Sequence, residues 1–372
     1  MKVTRLASTS EGLAATELGS INPLPLITLP ILGTERNDTL NGGNDGEFIY
    51  GLGGNDVIVG NGGADTIDGG TGNDQLFGNI GNDVLSGGAG DDQLFGGQGN
   101  DVINGGIGSD VIEGGVGDDY MDGGGLLGIL DGSSDTAGYS TTAVVSGVVV
   151  SLDLQGESQN TGGAGVDTLL GFENLLGSFF NDTLSGDGND NRLDGNAGDD
   201  QLFGLGGNDL LFGGLGNDTL TGGDGRDVLI GDAGADNLFG NVGADTLIGG
   251  EGNDTLFGGQ DADILDGGMA DDVLQGGLGA DVLTGGMGSD IFRFVTAGDS
   301  TAGTSDIILD FQSGVDRVDL SALHTSALDD FSIASTNGTT VVSVDLGGDG
   351  FTDLQFTLAG ANAIAPTDLF WG

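Results

Sequence analysis

The stretch Gly213–Thr221, GGLGNDTLT, decides the fold. It reads G-G-x-G-x-D-x-U-x, where U is a large apolar residue, and the frame runs unbroken on both sides. Aspartate recurs every nine residues at Asp200, Asp209, Asp218, Asp227, Asp236, Asp245, Asp254, Asp263, Asp272, Asp281 and Asp290. Two residues after each stands the apolar position, from Leu202 and Leu211 through to Leu283 and Phe292. A constant period this short marks a solenoid of stacked units. The first six positions are glycine-rich and predict a sharp turn. The last three predict a very short strand that buries only the apolar residue. Two units make one coil, so like positions stack every eighteen residues. That places Asp200, Asp218, Asp236, Asp254, Asp272 and Asp290 in one column and Asp209, Asp227, Asp245, Asp263 and Asp281 in the opposite one.

The same frame appears upstream, over 33–122. Its acidic positions are Asp38, Glu47, Asp56, Asp65, Asp74, Asp83, Asp92, Asp101, Asp110 and Asp119, with Leu40, Ile49, Ile58, Ile67, Leu76, Leu85, Leu94, Ile103, Ile112 and Met121 as the apolar partners. Its first two units are degenerate: Arg36 stands where a turn glycine belongs, and Glu47 replaces aspartate. In a column the carboxylates fall about 4.8 Å apart, the spacing of paired strands. Bare carboxylates at that spacing repel. A hard dication between them reverses the sign, and Ca²⁺ accepts carboxylates together with the carbonyls that a glycine turn leaves free. The candidate ligands are Asp56 to Asp119 in the first array and Asp200 to Asp290 in the second, in steps of nine.

The recurrence in register resembles the repeats-in-toxin (RTX, haemolysin-type) calcium-binding proteins. The resemblance implies an all-β, right-handed parallel β-roll with two repeats per coil. Ser305–Leu323, SDIILDFQSGVDRVDLSAL, is similar to the segment that follows the roll in serralysin-type secreted proteases. The end, Thr367–Gly372 (TDLFWG), is similar to the extreme C-terminus of proteins exported by type I secretion.

Composition bounds the partners. Of 372 residues 81 are glycine, but the period is nine rather than three and proline numbers only four, so collagen is excluded. The 58 acidic and seven basic residues give a formal charge of −51, which argues against nucleic acid and anionic lipid surfaces and for a cation. Cysteine is absent, so no disulfides staple the fold. No apolar run is long enough to span a membrane.

Five regions follow from the pattern. Residues 1–32 form a leader that makes a poor signal peptide. Its proline-broken apolar stretch Ile21–Leu32 reads either as a cap over the first coil or as a flexible lead-in. The first array occupies 33–122. Residues 123–180 lose the nonapeptide; Val144–Leu154, VVSGVVVSLDL, reads as strand, and parallel coils with little calcium are expected to continue. The second array occupies 181–293, with Asn191 in place of one aspartate and non-glycine residues Asp261 and Ala270 at the fourth position. Residues 294–372 form a small β-rich cap, with a hairpin over Thr339–Leu358 whose Asp345, Asp349 and Asp353 read as a plain turn.

The ninth position points outward, yet it carries Val59, Phe77 and Phe95 on one face of the first array. In the second array Phe203, Phe239 and Phe257 share one face and Phe212, Ile230 and Ile248 the other. These apolar ladders either cover the sheet locally or meet a partner. Enzymatic motifs are missing: there is one histidine, His324, no HExxH and no G-x-S-x-G. The expectation is a non-enzymatic, secreted protein that folds on extracellular Ca²⁺ and serves as a structural, surface or matrix element, self-associating or adhesive. The other reading is a secretion and folding module acting beside a secreted enzyme.

Overall fold

The computed structural model describes residues 29–124, 134–141, 144–323, 330–346, 348–360 and 364–370. His324 and most of the proline-broken leader lie outside them. The chain is an all-β parallel solenoid, and among the described residues its helix is confined to the 3-10 turns Leu152–Leu154 and Pro366–Asp368. Strands pair in parallel with the strand eighteen residues on: Leu211 with Leu229 on one face, Leu220 with Leu238 on the other. Two nonapeptides therefore make one coil.

The strands are longer than the glycine content predicts. They run six residues, as in Val57–Gly62 and Thr219–Asp224, and take in the first three positions of the following unit. Only the fourth to sixth positions turn. Alternation explains the difference. Aspartate, the apolar residue and the first glycine of the next unit are two apart, so all three face inward. Around Asp218, the aspartate, Leu220 and Gly222 are all buried. The apolar positions form one stack from Ile49 to Phe292, each at most 1% exposed through both arrays.

Three sheets result. An eight-stranded sheet covers one face of the first array, from Ile31–Leu32 to Val166–Leu170. A ten-stranded sheet covers the same side of the second array, from Val149–Ser151 to Leu369–Phe370. The opposite face is a single sheet of 17 strands. It runs from Thr39–Asn41 through Val111–Val116, Thr136–Gly138, Asn174–Leu176 and Arg192–Asp194 to Val282–Met287 and onward into the C-terminal strands. Ile31 and Leu32, the described end of the leader, add a parallel rung beside Ile49 and Tyr50.

In the segment between the arrays the strand is shorter than the valine run predicts. Within Val144–Leu154 strand is confined to Val149–Ser151; Val148, Val150 and Leu152 are buried, and the chain then enters the 3-10 turn. Parallel pairing runs through the segment, from Val111–Val116 by way of Thr136–Gly138 and Asn174–Leu176 to Arg192–Asp194, with one antiparallel addition. Ser158–Asn160 runs antiparallel to Val166–Leu170 and closes that edge. Beyond the second array the hairpin forms from Thr339–Asp345 and Leu354–Ala359, joined by a further antiparallel strand, Asp330–Thr336. Asp345 accepts N–H bonds from Asp349 (3.1 Å) and Gly350 (2.8 Å), as a plain turn requires.

The outward ninth positions form ring pairs where two phenylalanines are eighteen apart. Phe77 stacks on Phe95 at 5.0 Å and Phe239 on Phe257 at 5.1 Å. Phe203 is separated from Phe239 by Thr221, its actual neighbour. Phe212 instead carries the Arg192 guanidinium over its ring at 4.2 Å.

Candidate metal centre

Each array aspartate is placed by the turn that it ends and by the strand that it begins. Its side chain points inward and its oxygens have different fates. Oδ1 accepts the backbone N–H of the aspartate one coil earlier: Asp200 donates to Asp218 at 2.7 Å, Asp218 to Asp236 at 2.7 Å, Asp236 to Asp254 at 2.8 Å. The opposite column is built the same way, Asp209 donating to Asp227 and Asp227 to Asp245 at 2.8 Å. The eighteen-residue columns read from the sequence are thus real ladders.

Oδ2 has no partner. This holds for Asp56, Asp65, Asp74, Asp83, Asp92, Asp101, Asp110 and Asp119 in the first array. It holds equally for Asp200, Asp209, Asp218, Asp227, Asp236, Asp245, Asp254, Asp263, Asp272, Asp281 and Asp290 in the second. Every one of these residues is at most 3% exposed. A buried carboxylate oxygen without a donor carries a large desolvation cost. Asp306, just beyond the second array, shares the condition.

The first glycine of each unit shows what the free oxygen faces. A methyl group added at Gly231 would collide with Asp236 Oδ2 and with the carbonyl oxygen of Gly249, one coil on. The same pair of oxygens converges at Gly51, Gly69 and Gly258. This glycine is needed for space, since its φ is not positive. Positive φ falls instead at the second and fourth positions, which tolerate Asn61, Leu205 or Asp232 at the second and Asp261 or Ala270 at the fourth. Among the described residues no three Asp, Glu, His or Cys side chains converge on one point. A carboxylate oxygen beside a backbone carbonyl, repeated up a column, is a donor set for a hard cation that takes most of its ligands from the main chain.

Electrostatics agree. Burial first, and then the neighbouring carboxylates, push Asp110 and Asp263 up to about 8, and Asp92, Asp200, Asp236 and Asp272 to about 7. The N–H bond to Oδ1 opposes the rise without cancelling it. Two ion pairs occur among the described residues, Arg192–Asp194 and Arg293–Asp319, and neither involves a ladder aspartate.

Apart from Asp306, the turns that flank the arrays at Asp38, Glu47, Asp182, Asn191 and Asp316 are closed by the protein itself. At Asp38 the N–H and hydroxyl of Thr34 both donate to Oδ2 at 2.7 Å, and at Glu47 the Gly43 N–H donates to Oε2 at 2.9 Å. At Asp182 the Ser178 N–H reaches Oδ2 at 2.6 Å; at Asp316 the Gln312 N–H does so at 2.7 Å. Asn191 accepts the Asp187 N–H at 2.8 Å. In each closed turn the donor is four residues before the acceptor and has no positive φ. The columns also recruit residues that the nonapeptide frame does not reveal. Asp110 donates across an insertion to Asp135 at 2.8 Å, and Asp119 to Asp167 at 3.0 Å. A second, outward ladder at the fifth position runs in the opposite sense: the Asn217 N–H donates to Asp199 Oδ1 at 2.9 Å and the Ala235 N–H to Asn217 Oδ1 at 2.9 Å. Asparagine and aspartate at that position are its only sequence sign.

The fold and the donor sets define a repeat protein with cation-binding turns. The profile of the RTX calcium-binding nonapeptide repeat matches in overlapping stretches that together span residues 31–125 and 176–294, more than half of the chain. The chain belongs to that family, and its repeats are calcium-binding repeats. The match stops short of the C-terminal segment. Among solved structures, the chain is similar to the AlgE6R3 subunit of the Azotobacter vinelandii mannuronan C5-epimerase, at 21% identity over 51% of this chain and 77% of that one, with a TM-score of 0.18. It is also similar to the AlgE6R2 subunit of the same enzyme, at 26% identity over 41% of this chain and 91% of that one, with a TM-score of 0.28. No curated protein matches it.

Proposed function

We propose that this chain is a secreted rod whose folding is gated by extracellular calcium, and that the rod is structural rather than catalytic. The single observation that carries the reading is the set of nineteen buried, partnerless Oδ2 atoms, each in an array aspartate. Bound calcium supplies the positive charge that these oxygens lack. Asp56 to Asp119 and Asp200 to Asp290, in steps of nine, hold it through Oδ2, with the first-glycine carbonyl of the next coil beside them. Their Oδ1 atoms stay committed to the backbone ladder. Cytosolic calcium is too low for sites of the extracellular type, whose affinities are about 10⁻⁴–10⁻³ M. The chain therefore passes the secretion machinery unfolded and orders outside, where binding free energy becomes folding free energy. One ion per free Oδ2 gives roughly 19 ions, about +38 against the formal −51.

The structural role rests on how the carboxylates are used: the array aspartates are taken up by ladders and cradles. No helix among the described residues is long and apolar enough to cross a membrane. Stacked outward phenylalanines and the exposed Leu215, Met269 and Met287 offer apolar surface for self-association or for a cell-surface matrix. The test is a calcium titration followed by circular dichroism and sedimentation. Strand signal and compaction should rise together in the millimolar range, with larger species at high calcium. An equally ordered chain in excess chelator sinks the gating, and a calcium-loaded monomer at every concentration sinks the self-association.

A further inference from the structure

The two kinds of turn are not scattered. Turns with a partnerless oxygen fill 51–119 and 195–290 and recur at Asp306, whereas closed turns sit at the start, between the arrays and at the end. We infer that the joint between the arrays, Val144–Asp194, is a calcium-independent folding unit that templates the coils on either side. The inference rests on the calcium reading above for the arrays, but not for the joint itself.

Three observations support it. First, each ladder carboxylate of the joint has both oxygens satisfied from within the protein. Asp167 accepts the Asp119 N–H at 3.0 Å and the Thr161 hydroxyl at 2.9 Å. Asp182 accepts the Val148 N–H at 2.7 Å on Oδ1 and the Ser178 N–H on Oδ2. At Asn191 the acid is replaced by a neutral amide that donates to the Glu173 carbonyl at 2.9 Å. No cation is needed to bury these groups.

Second, the joint has its own core. Ten buried apolar residues fall between Val144 and Asp194, among them Phe172, Leu175 and Leu184. That is about one residue in five, against one in nine in the arrays, so the joint can offset more of its ordering entropy by burial alone.

Third, the joint presents finished edges to both arrays. Leu175 pairs with Ala137 on the first-array side, Leu193 pairs with Leu211 on the second-array side, and the joint strand Thr183–Ser185 receives Gln201–Phe203. A preformed rung removes the costly first step of stacking. The second array also abuts the C-terminal cap, which carries its own closed turn at Asp316. Among the described residues, the first array meets residues 135–138, the joint and the degenerate units at its start.

Hydrogen exchange on the full-length protein tests this. In excess chelator, amides of Val148, Ser178 and Thr183, whose acceptors lie inside the joint, should exchange at least tenfold more slowly than those of Asp83 and Asp236; equal rates overturn the inference. Protection of Asp83 and Asp236 on adding calcium tests the calcium reading separately, and its failure leaves the chelator result standing. The variant Leu175→Ala should raise the calcium midpoint for protection of the first array at least threefold and leave that of the second array unchanged. A shift of both arrays alike, or of neither, overturns the templating. Leu256→Ala, inside the second array, serves as the converse control and should move the second midpoint alone.

Discussion

The arrays and the joint solve one problem in two ways. Both bury acidic side chains inside stacked coils, and both give one carboxylate oxygen to a backbone N–H of the preceding coil. They differ in the other oxygen. In the arrays it faces a glycine carbonyl and has no donor; in the joint a Ser178 N–H or a Thr161 hydroxyl reaches it. The difference traces to the turn. A turn with positive φ at its second and fourth positions leaves the oxygen free, whereas Ser178–Phe180, with ordinary φ, turns a main-chain donor toward it. Backbone conformation in the turn, rather than glycine content as such, thus sets whether the second oxygen has a main-chain donor.

Removing calcium should break the comparison most visibly. Chelation should abolish most strand signal from the arrays while the joint and the cap keep theirs, as read by circular dichroism with residue-resolved exchange. The next largest effect is steric. Gly231→Ala should destabilise the calcium-loaded protein by about 1–3 kcal/mol, since the methyl would occupy the space between Asp236 Oδ2 and the Gly249 carbonyl. The same change at Gly188 in the joint, which has nothing within 4 Å, should stay within about 0.5 kcal/mol. Thermal melts of the two variants measure the contrast.

Acid should partly replace calcium in the arrays. Their aspartates bind protons more tightly folded than unfolded, so the stabilising contribution is fully present below the ordinary value of 3.8. It is lost as pH rises through about 6 for Asp65 and Asp218, about 7 for Asp92 and Asp236, and about 8 for Asp110 and Asp263. Metal-free protein should gain array order on acidification from pH 8 to pH 4, with exchange protection as the readout. The smallest effect concerns the outer face. Phe77→Ala should cost about 0.5–1.5 kcal/mol through its stacked partner Phe95, without altering the calcium midpoint of the second array.

Much of this was legible in the chain itself because the period is strict. Counting by nine located all nineteen aspartates that prove to carry a free oxygen, and Arg36, Glu47 and Asn191 marked turns that prove to be closed. Strand length was misread because a glycine pair looks like turn chemistry. In the coil the first glycine is extended, and its missing side chain makes room for two oxygens rather than for a bend. Asp135, Asp167 and Asp182 were hidden for a different reason. The first two join their columns across 25 and 48 residues, so spacing says nothing. At Asp182 the intervening SFF obscures the frame.

Because like positions recur every eighteen residues, the length of each array is free to change while its ends are not. Excision of one whole coil, such as 222–239, would shorten the molecule by about 4.8 Å and return every later residue to its own side. Excision of nine would deliver the remainder half a revolution out of phase, with the cap offered to the wrong sheet. The protein behaves as a ruler graduated in pairs, whose span can be set by duplication or loss of a single eighteen-residue module.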